Sequence, residues 1–305
     1  MTSEQAGMEP IVTPGREKPS RLVADHVHLA YEDHLVVDDL SIDIPTGKFT
    51  VIVGPNACGK STLLRALARL LTPKSGTVLL DGEEIRRLPT RTVAQRLGIL
   101  PQQPISPDGI TVTDLVSRGR HPHQRWFRQW SKDDERTVEA ALAATAISDL
   151  ADRSVDELSG GQRQRVWIAM AIAQGTDIML LDEPTTFLDL THQIDVLDLL
   201  ADLNKDNGRT VVCVLHDLNL ACRYAHHLVA MKDGAIVARG TPAEVITQET
   251  VERVFDLDAR IVEDPVSGTP LVVPIGRHHQ PVAGTEPGTE SDADTNAGTS
   301  AVNAS

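Results

Sequence analysis

A glycine-rich segment of the chain has the residue types and spacing needed to bind phosphate. Its members are Gly54, Pro55, Asn56, Ala57, Cys58, Gly59, Lys60, Ser61 and Thr62, which match the P-loop pattern G-x-x-x-x-G-K-[ST]. The apolar run over 49–53 predicts a buried strand directly before it, and residues 62–70 predict a helix directly after it. Backbone N–H groups of such a loop wrap phosphate, and the helix N-terminus adds the positive end of its dipole. We therefore expect Lys60 to reach the β- and γ-phosphates of a nucleotide and Ser61 to bind Mg²⁺.

Two further apolar runs end in polar side chains of catalytic type. Asp182 and Glu183 follow the run over 178–181, and His216 follows the run over 210–215. Ligands bind beyond the carboxyl ends of parallel strands, so these side chains are expected near the phosphates. Asp182 suits Mg²⁺, and Glu183 is placed to accept a proton from the attacking water. His216 is expected to face the γ-phosphate, although a purely structural histidine explains its position equally well.

A second phosphate-binding segment is predicted at the start of a helix expected over 163–174. Its polar and glycine residues are Ser159, Gly160, Gly161 and Gln162. Glycines and a serine at a helix start favour anion binding. Because this segment is distant from the P-loop in sequence, we expect it to bind a nucleotide that is held by the P-loop of another subunit. Gln102 is a further candidate, since it follows a short apolar run over 97–100, with Gln103 beside it as the alternative.

These segments, in this order, resemble the motifs of the ATP-binding cassette (ABC) ATPases. The resemblance covers about residues 22–255. Its motifs are Gly54–Thr62 as Walker A, Gln102 as the Q-loop glutamine, Leu158–Gln162 as the signature, Ile178–Glu183 as Walker B, Leu188-Asp189 as the D-loop and His216 as the switch histidine. Tyr31 lies where the family places an aromatic residue under the adenine. Cys58 fills a loop position often occupied by Gly or Ser, and we expect its thiol to make the P-loop sensitive to alkylation.

The resemblance implies an α/β fold, a P-loop NTPase cassette with three parts. These are a RecA-like parallel-sheet core, an antiparallel β subdomain and a helical signature subdomain at about 103–165. It implies ATP and Mg²⁺ as cofactors, with Ser61, Gln102 and Asp182 at the metal and with Glu183, His216 and Gln102 in catalysis. It also implies a head-to-tail pair of cassettes, expected to be a homodimer, with each ATP between Walker A of one and the signature of the other.

The composition of the chain limits the kinds of partner that it can bind. The 305-residue chain has 43 Asp+Glu against 29 Lys+Arg, a net charge of −14, which argues against a nucleic-acid binder. No apolar run approaches the ~20 residues that span a bilayer, and Met1–Pro10 does not resemble a signal peptide. The three cysteines, Cys58, Cys213 and Cys222, are expected to be reduced.

We expect a flexible N-terminus over 1–20, the ATP-binding domain over 21–275 and a disordered acidic tail over 276–305.

Within the family, three stretches resemble the ATPases of ferric-siderophore importers: Arg118–Trp130, Val155–Met170 and Thr185–Gln193. The ATPases of vitamin B12 and haem importers have similar stretches, so these two substrates remain alternatives. An alternative from another class is a soluble ABC ATPase that is not coupled to transport. The resemblance implies a separate transmembrane permease, an extracellular substrate-binding protein as an indirect partner, and a position on the cytoplasmic face of the membrane. Arg118–Trp130 is expected to contact the permease, or else to be a plain solvated helical face.

Overall fold

The computed structural model describes residues 20–102, 104–124, 130–186 and 188–276. The predicted N-terminal segment and acidic tail therefore lie outside the described residues, apart from Ser20 and Gly276. The described residues from Ser20 to Pro274 belong to one compact unit. In these ranges no helix is both long enough and apolar enough to cross a membrane.

The described residues contain twelve strands and nine α-helices. The strands are β1 (Leu22–Tyr31), β2 (His34–Ile44), β3 (Phe49–Val53), β4 (Ser75–Leu80), β5 (Glu83–Glu84), β6 (Leu97–Leu100), β7 (Ile178–Asp182), β8 (Thr210–Val214), β9 (His227–Lys232), β10 (Ala235–Gly240), β11 (Ala259–Glu263) and β12 (Pro270–Pro274). The helices are α1 (Lys60–Leu67), α2 (Thr90–Arg96), α3 (Val112–Ser117), α4 (Lys132–Ala144), α5 (Gly160–Ala173), α6 (Leu190–Asn207), α7 (Leu218–Tyr224), α8 (Pro242–Val245) and α9 (Gln248–Phe255).

The central sheet has six strands in the order β10-β9-β3-β8-β7-β6. All neighbours in it are parallel except the hairpin partners β9 and β10. Every residue of β3, β7 and β8 is buried, as expected for parallel strands covered on both faces. The parallel core predicted from their unbroken apolar runs is confirmed.

Strand β3 shows how the sheet serves two cores. Phe49, Val51 and Val53 belong to a core that the helical part of the chain covers. Ile52 points to the opposite face and joins a second core with Leu63 of α1 and residues of the antiparallel sheet. This alternation follows from the two-residue period of a strand. Both faces of β3 are therefore packed, which fixes the strand from which the P-loop leaves.

The predicted antiparallel β subdomain is a four-stranded sheet in the order β2-β1-β4-β5. The Asp81-Gly82 pair, a residue pair typical of tight turns, joins β4 to β5. The two apolar runs at 35–37 and 40–44 both belong to one strand, β2. Irregular register shifts along β1 and β2 let this long strand keep its apolar residues on the core side.

Helices α3, α4 and α5 pack on one another in the segment predicted to be helical. Ser131 begins α4 through a capping box with Asp134, as its sequence predicts. The N-cap of α3 is Thr111, which accepts from the Asp114 N–H. The predicted start of α5 is wrong. Helix α5 begins at Gly160 and not at Arg163, because its capping serine lies further upstream than the apolar periodicity suggested.

Candidate nucleotide-binding site

The carboxyl ends of four parallel strands lie at one edge of the central sheet. The P-loop follows β3, Gln102 follows β6, Asp182 ends β7 with Glu183 next, and His216 lies two residues beyond β8. The parallel pairing of β3, β8, β7 and β6 aligns these ends. Residues far apart in sequence are thus brought to a common edge, where ligands bind in α/β sheets.

The P-loop has the backbone shape of a phosphate cradle. Gly54, Ala57 and Gly59 all have positive φ, of 156°, 62° and 102°. A Cβ added to Gly54 would collide with the Met231 carbonyl, so only glycine fits there. Helix α1 begins at Lys60, and no side chain caps its first turn. Its N–H groups are therefore available to an anion, with the helix dipole aligned towards it.

Lys60 is only 4% exposed, and its ammonium is held by the loop itself. Nζ donates to the carbonyls of Gly54, at 2.9 Å, and Pro55, at 2.8 Å. No ion pair of this ammonium is seen among the described residues, so an incoming phosphate would supply a direct charge partner. The loop therefore positions the lysine for the role that the sequence predicts.

Asp182 and Ser61 form the candidate metal site. The Ser61 hydroxyl donates to Asp182 Oδ1 at 2.8 Å, and Asp182 is only 2% exposed. Burial raises the pKa of Asp182, the adjacent Glu183 charge adds to the rise, and the bond from Ser61 opposes it. A buried carboxylate in this state would be stabilised by a cation. The oxygen donors present, a carboxylate and a hydroxyl, are of the type that Mg²⁺ prefers.

Glu183 lies at the centre of a hydrogen-bonded group. Its Oε1 is 2.6 Å from His216 Nε2, and its Oε2 accepts from Gln102 Nε2 at 2.7 Å and from the Thr186 hydroxyl at 3.2 Å. The residue has φ of 53°, which is uncommon for a side chain larger than glycine. The arrangement brings together the three predicted catalytic residues, and Thr186 is a partner that sequence reasoning missed.

A cavity of about 800 Å³ lies over these groups, a volume that suits a small-molecule ligand. Nine of the predicted site residues line it: Asn56, Ala57, Gly59, Lys60, Ser61, Thr62, Gln102, Glu183 and His216. Five lining residues were not predicted: His34, Leu35, Val36, Asp233 and Gly234. The first three lie at the start of β2 and the other two in the turn between β9 and β10. The Asp-Gly pair signals a hairpin turn, but nothing local in the sequence shows that it faces the P-loop.

Four predicted residues lie in the chain segments around the cavity without lining it. Gly54, Pro55, Cys58 and Asp182 are absent from the lining residues. Cys58 is only 4% exposed. Burial raises the pKa of its thiol, and the nearby Lys60 only partly opposes this. Both features disfavour the expected sensitivity to alkylation, because a buried thiol with a raised pKa forms little of the reactive thiolate. All three cysteines are free and buried, in agreement with the reduced state that was predicted.

Tyr31 lies at the end of β1 and does not line the cavity. The residue is 40% exposed, and its hydroxyl accepts from Arg65 Nη1 at 3.1 Å. An exposed aromatic face is available for stacking, but the structure places it outside the walls around the P-loop. Its predicted contact with the adenine stays a prediction.

The signature segment is also apart from the cavity. Ser159 is the N-cap of α5, and its hydroxyl accepts from the Gln162 N–H at 3.3 Å. Gln162 Oε1 accepts in return from the Ser159 N–H at 3.1 Å. Gly160 and Gly161 form the first turn of α5. None of the four lines the cavity, so within one chain the two predicted phosphate-binding segments do not meet.

Comparison with known proteins identifies the family. The model of the ABC transporter family matches residues 37–186. The chain is 58% identical to the probable siderophore transport system ATP-binding protein YusV of Bacillus subtilis strain 168, over 85% of this chain and 94% of that protein. It is 56% identical to the ferric enterobactin transport ATP-binding protein FepC of Escherichia coli K12, over 86% of this chain and 96% of that one.

A solved structure shares the fold. It is the dimeric post-hydrolysis state of the ATP-binding cassette MJ0796 bound to ADP and Pi, with a TM-score of 0.65 and 28% identity. The alignment covers 72% of this chain and 98% of that one. The chain has a P-loop cavity and a pair of carboxylates at a strand end, and it covers nearly the full length of relatives that are more than half identical in sequence. The chain therefore belongs to the ATP-binding proteins of ABC transporters.

Proposed function

We propose that this chain hydrolyses ATP to drive import of a ferric siderophore through a separate membrane permease. One observation carries the enzymatic part: Glu183 is held between His216 and Gln102 at the edge of the P-loop cavity. A carboxylate fixed there can take a proton from the water that attacks the γ-phosphate. Lys60 and the P-loop N–H groups would bind the phosphates and stabilise the developing charge.

Mg²⁺ is the cation that fits the donor set. Among the residues that the structure describes, no group of three or more His, Cys, Asp or Glu could hold a metal ion. Mg²⁺ is normally bound by one or two carboxylates together with water and substrate phosphates. Asp182 and Ser61 would supply the protein ligands and Gln102 a further oxygen. When bound, the ion would neutralise phosphate charge during transfer.

A second cassette is the partner that would complete the site. The signature residues Ser159–Gln162 lie away from the cavity of their own chain, and the related MJ0796 cassette is dimeric. We infer a head-to-tail homodimer in which the start of α5 from one chain binds the nucleotide held by the other. The helix N-terminus would then face the γ-phosphate from the opposite side.

The import part of the proposal is supported by the relatives YusV and FepC, which are named for siderophore and ferric enterobactin transport. We infer a permease as the membrane partner, an extracellular binding protein that delivers the siderophore to that permease, and a position of this chain at the cytoplasmic face. Nucleic acid is not an expected partner, since the net charge is −14 and phosphate backbones favour basic surfaces.

Growth of a deletion strain tests the substrate. The strain would be starved of iron and given a ferric siderophore, then haem, and in a separate medium vitamin B12. We expect that the wild-type gene restores siderophore-dependent growth and uptake of labelled iron, whereas the Lys60→Ala gene does not. Rescue by the wild type that is confined to haem or vitamin B12 would assign the transporter to those substrates. No difference on any of the three, with permease copurification also absent, would favour an ATPase not coupled to transport.

A further inference from the structure

The two-residue turn between β9 and β10 touches the P-loop directly. The Gly234 N–H donates to the carbonyl of Cys58 at 3.0 Å, one residue before Gly59. Both turn residues have positive φ, 49° at Asp233 and 78° at Gly234, as in the tight hairpin turns that favour Asp-Gly. This bond ties a peptide of the phosphate loop to a distant hairpin.

The position of Gly234 leaves no room for a side chain. A Cβ added there would collide with the Val36 carbonyl and lie 3.2 Å from Val37 Cα. Gly59 packs against the same place, since a Cβ on it would lie 3.1 Å from a methyl of Val37 and 3.7 Å from Gly234 Cα. The turn therefore packs against the backbone of β2, and the P-loop contacts both the turn and the valine side chains of β2, so a shift of one must move the others.

Asp233 differs from its neighbour in exposure and charge. Gly234 is buried, whereas Asp233 is exposed and lines the cavity together with Lys60. No hydrogen bond or ion pair of its side chain is seen among the described residues. A carboxylate on the wall of a site for a polyanion lowers the affinity of that site, because like charges repel.

We propose that the Asp233-Gly234 turn is a positioning element of the nucleotide site. Gly234 holds the P-loop backbone in its phosphate-binding shape, and Asp233 lowers the affinity for nucleoside phosphates through its charge. The inference rests on the proposed ATP site but goes beyond it, since neither residue belongs to a phosphate-binding motif. It assigns to a hairpin turn control over nucleotide affinity rather than over the hydrolysis step.

The chain contains a matched control for Gly234. Asp81-Gly82 is a second two-residue Asp-Gly turn, with φ of 55° and 81°, between β4 and β5. A Cβ at Gly82 meets no atom within 4 Å. Gly82→Ala therefore introduces the same backbone strain without the collision, and any difference between the two alanine variants reports the contact with β2 and the P-loop.

The experiment compares Gly234→Ala with Gly82→Ala in the full-length protein. The measurements are the Kd of a fluorescent ATP analogue, the KM and kcat of ATP hydrolysis, and circular dichroism. We expect Gly234→Ala to raise Kd and KM about five- to tenfold over Gly82→Ala, the effect of losing roughly one well-placed hydrogen bond. Its kcat at saturating ATP should stay near that of the control, because Glu183, His216 and Gln102 are untouched. Equal Kd values for the two variants would overturn the proposal.

A second variant decides the matter if Gly234→Ala does not fold. Asp233→Asn keeps a residue that tolerates positive φ and removes the charge, and Asp149→Asn, an exposed carboxylate away from the cavity lining, is its control. We expect Asp233→Asn to bind ATP about two- to fivefold more tightly, with the gain shrinking as salt is raised. Unchanged or weaker binding relative to Asp149→Asn would refute the role of the turn. Absence of ATP binding by the wild-type protein would instead refute the proposed function.

Discussion

Replacing Glu183 by glutamine separates ATP binding from ATP hydrolysis. Glutamine has nearly the same shape but cannot accept a proton from the attacking water. Loss of a positioned general base costs about 10²- to 10⁴-fold in rate, which corresponds to roughly 3–5 kcal/mol of barrier. We therefore expect kcat of Glu183→Gln to fall by that factor, while the Kd for ATP stays near the wild-type value.

The structure indicates that this variant will fold. The glutamine carbonyl can still accept from His216, and the amide of Gln102 can turn so that its oxygen accepts from the new NH₂ group. The hydrogen bonds around residue 183 are then largely kept, so the free energy of unfolding should change by only about 1 kcal/mol. Removing the charge beside Asp182 also relieves the repulsion that contributes to its raised pKa.

The assay combines steady-state phosphate release with gel filtration in Mg·ATP. Because hydrolysis is expected to separate the two cassettes, the variant should accumulate as an ATP-bound dimer. Glu139→Gln, which removes an exposed carboxylate of α4, is the control and should behave like the wild type. Near-normal turnover by Glu183→Gln, together with a purely monomeric elution profile, would refute the assignment of Glu183 as the base.

Four further outcomes are expected. Lys60→Ala should abolish ATP binding with the circular dichroism spectrum unchanged, because the methyl group supplies no charge for the phosphates; normal turnover would contradict this. Ser159→Arg should block hydrolysis from outside its own cavity, and mixing it with Lys60→Ala should restore at most one intact site per mixed dimer. Cys58 should react slowly with iodoacetamide in the folded protein and quickly in denaturant, because burial raises the pKa of its thiol. Asp134→Asn should lower stability at pH 7 by about 3 kcal/mol, because Asp134 forms a buried ion pair with Arg120 at 2.8 Å. Burial of Asp134 opposes its ionisation, but the hydrogen bonds that the carboxylate accepts outweigh burial and lower its pKa. The loss of stability in Asp134→Asn should therefore persist above about pH 4 and fade as the pH drops through the lowered pKa.

Much of the candidate site could be predicted from the sequence, because short local motifs define it. Three short segments could each be interpreted from their residue types alone: the P-loop, the carboxylates after β7 and the histidine after β8. Unbroken apolar runs predicted buried parallel strands, because such strands are covered on both faces. The parallel arrangement then implied that the polar residues after those runs share one edge of the sheet. Glu183 in fact contacts both His216 and Gln102.

Other features depended on contacts between segments distant in sequence. His34–Val36 and the Asp233-Gly234 turn line the cavity because β9 pairs with β3 and because the antiparallel sheet packs near the P-loop. Cys58 occupies a loop that looks accessible, yet packing buries its thiol. Helix α5 starts at Gly160 because Ser159 caps it, although apolar periodicity pointed further along. A sequence records which residues can form a strand, a cap or a phosphate loop, but burial and cross-strand contact are set by what packs against them, and only the tertiary structure decides that.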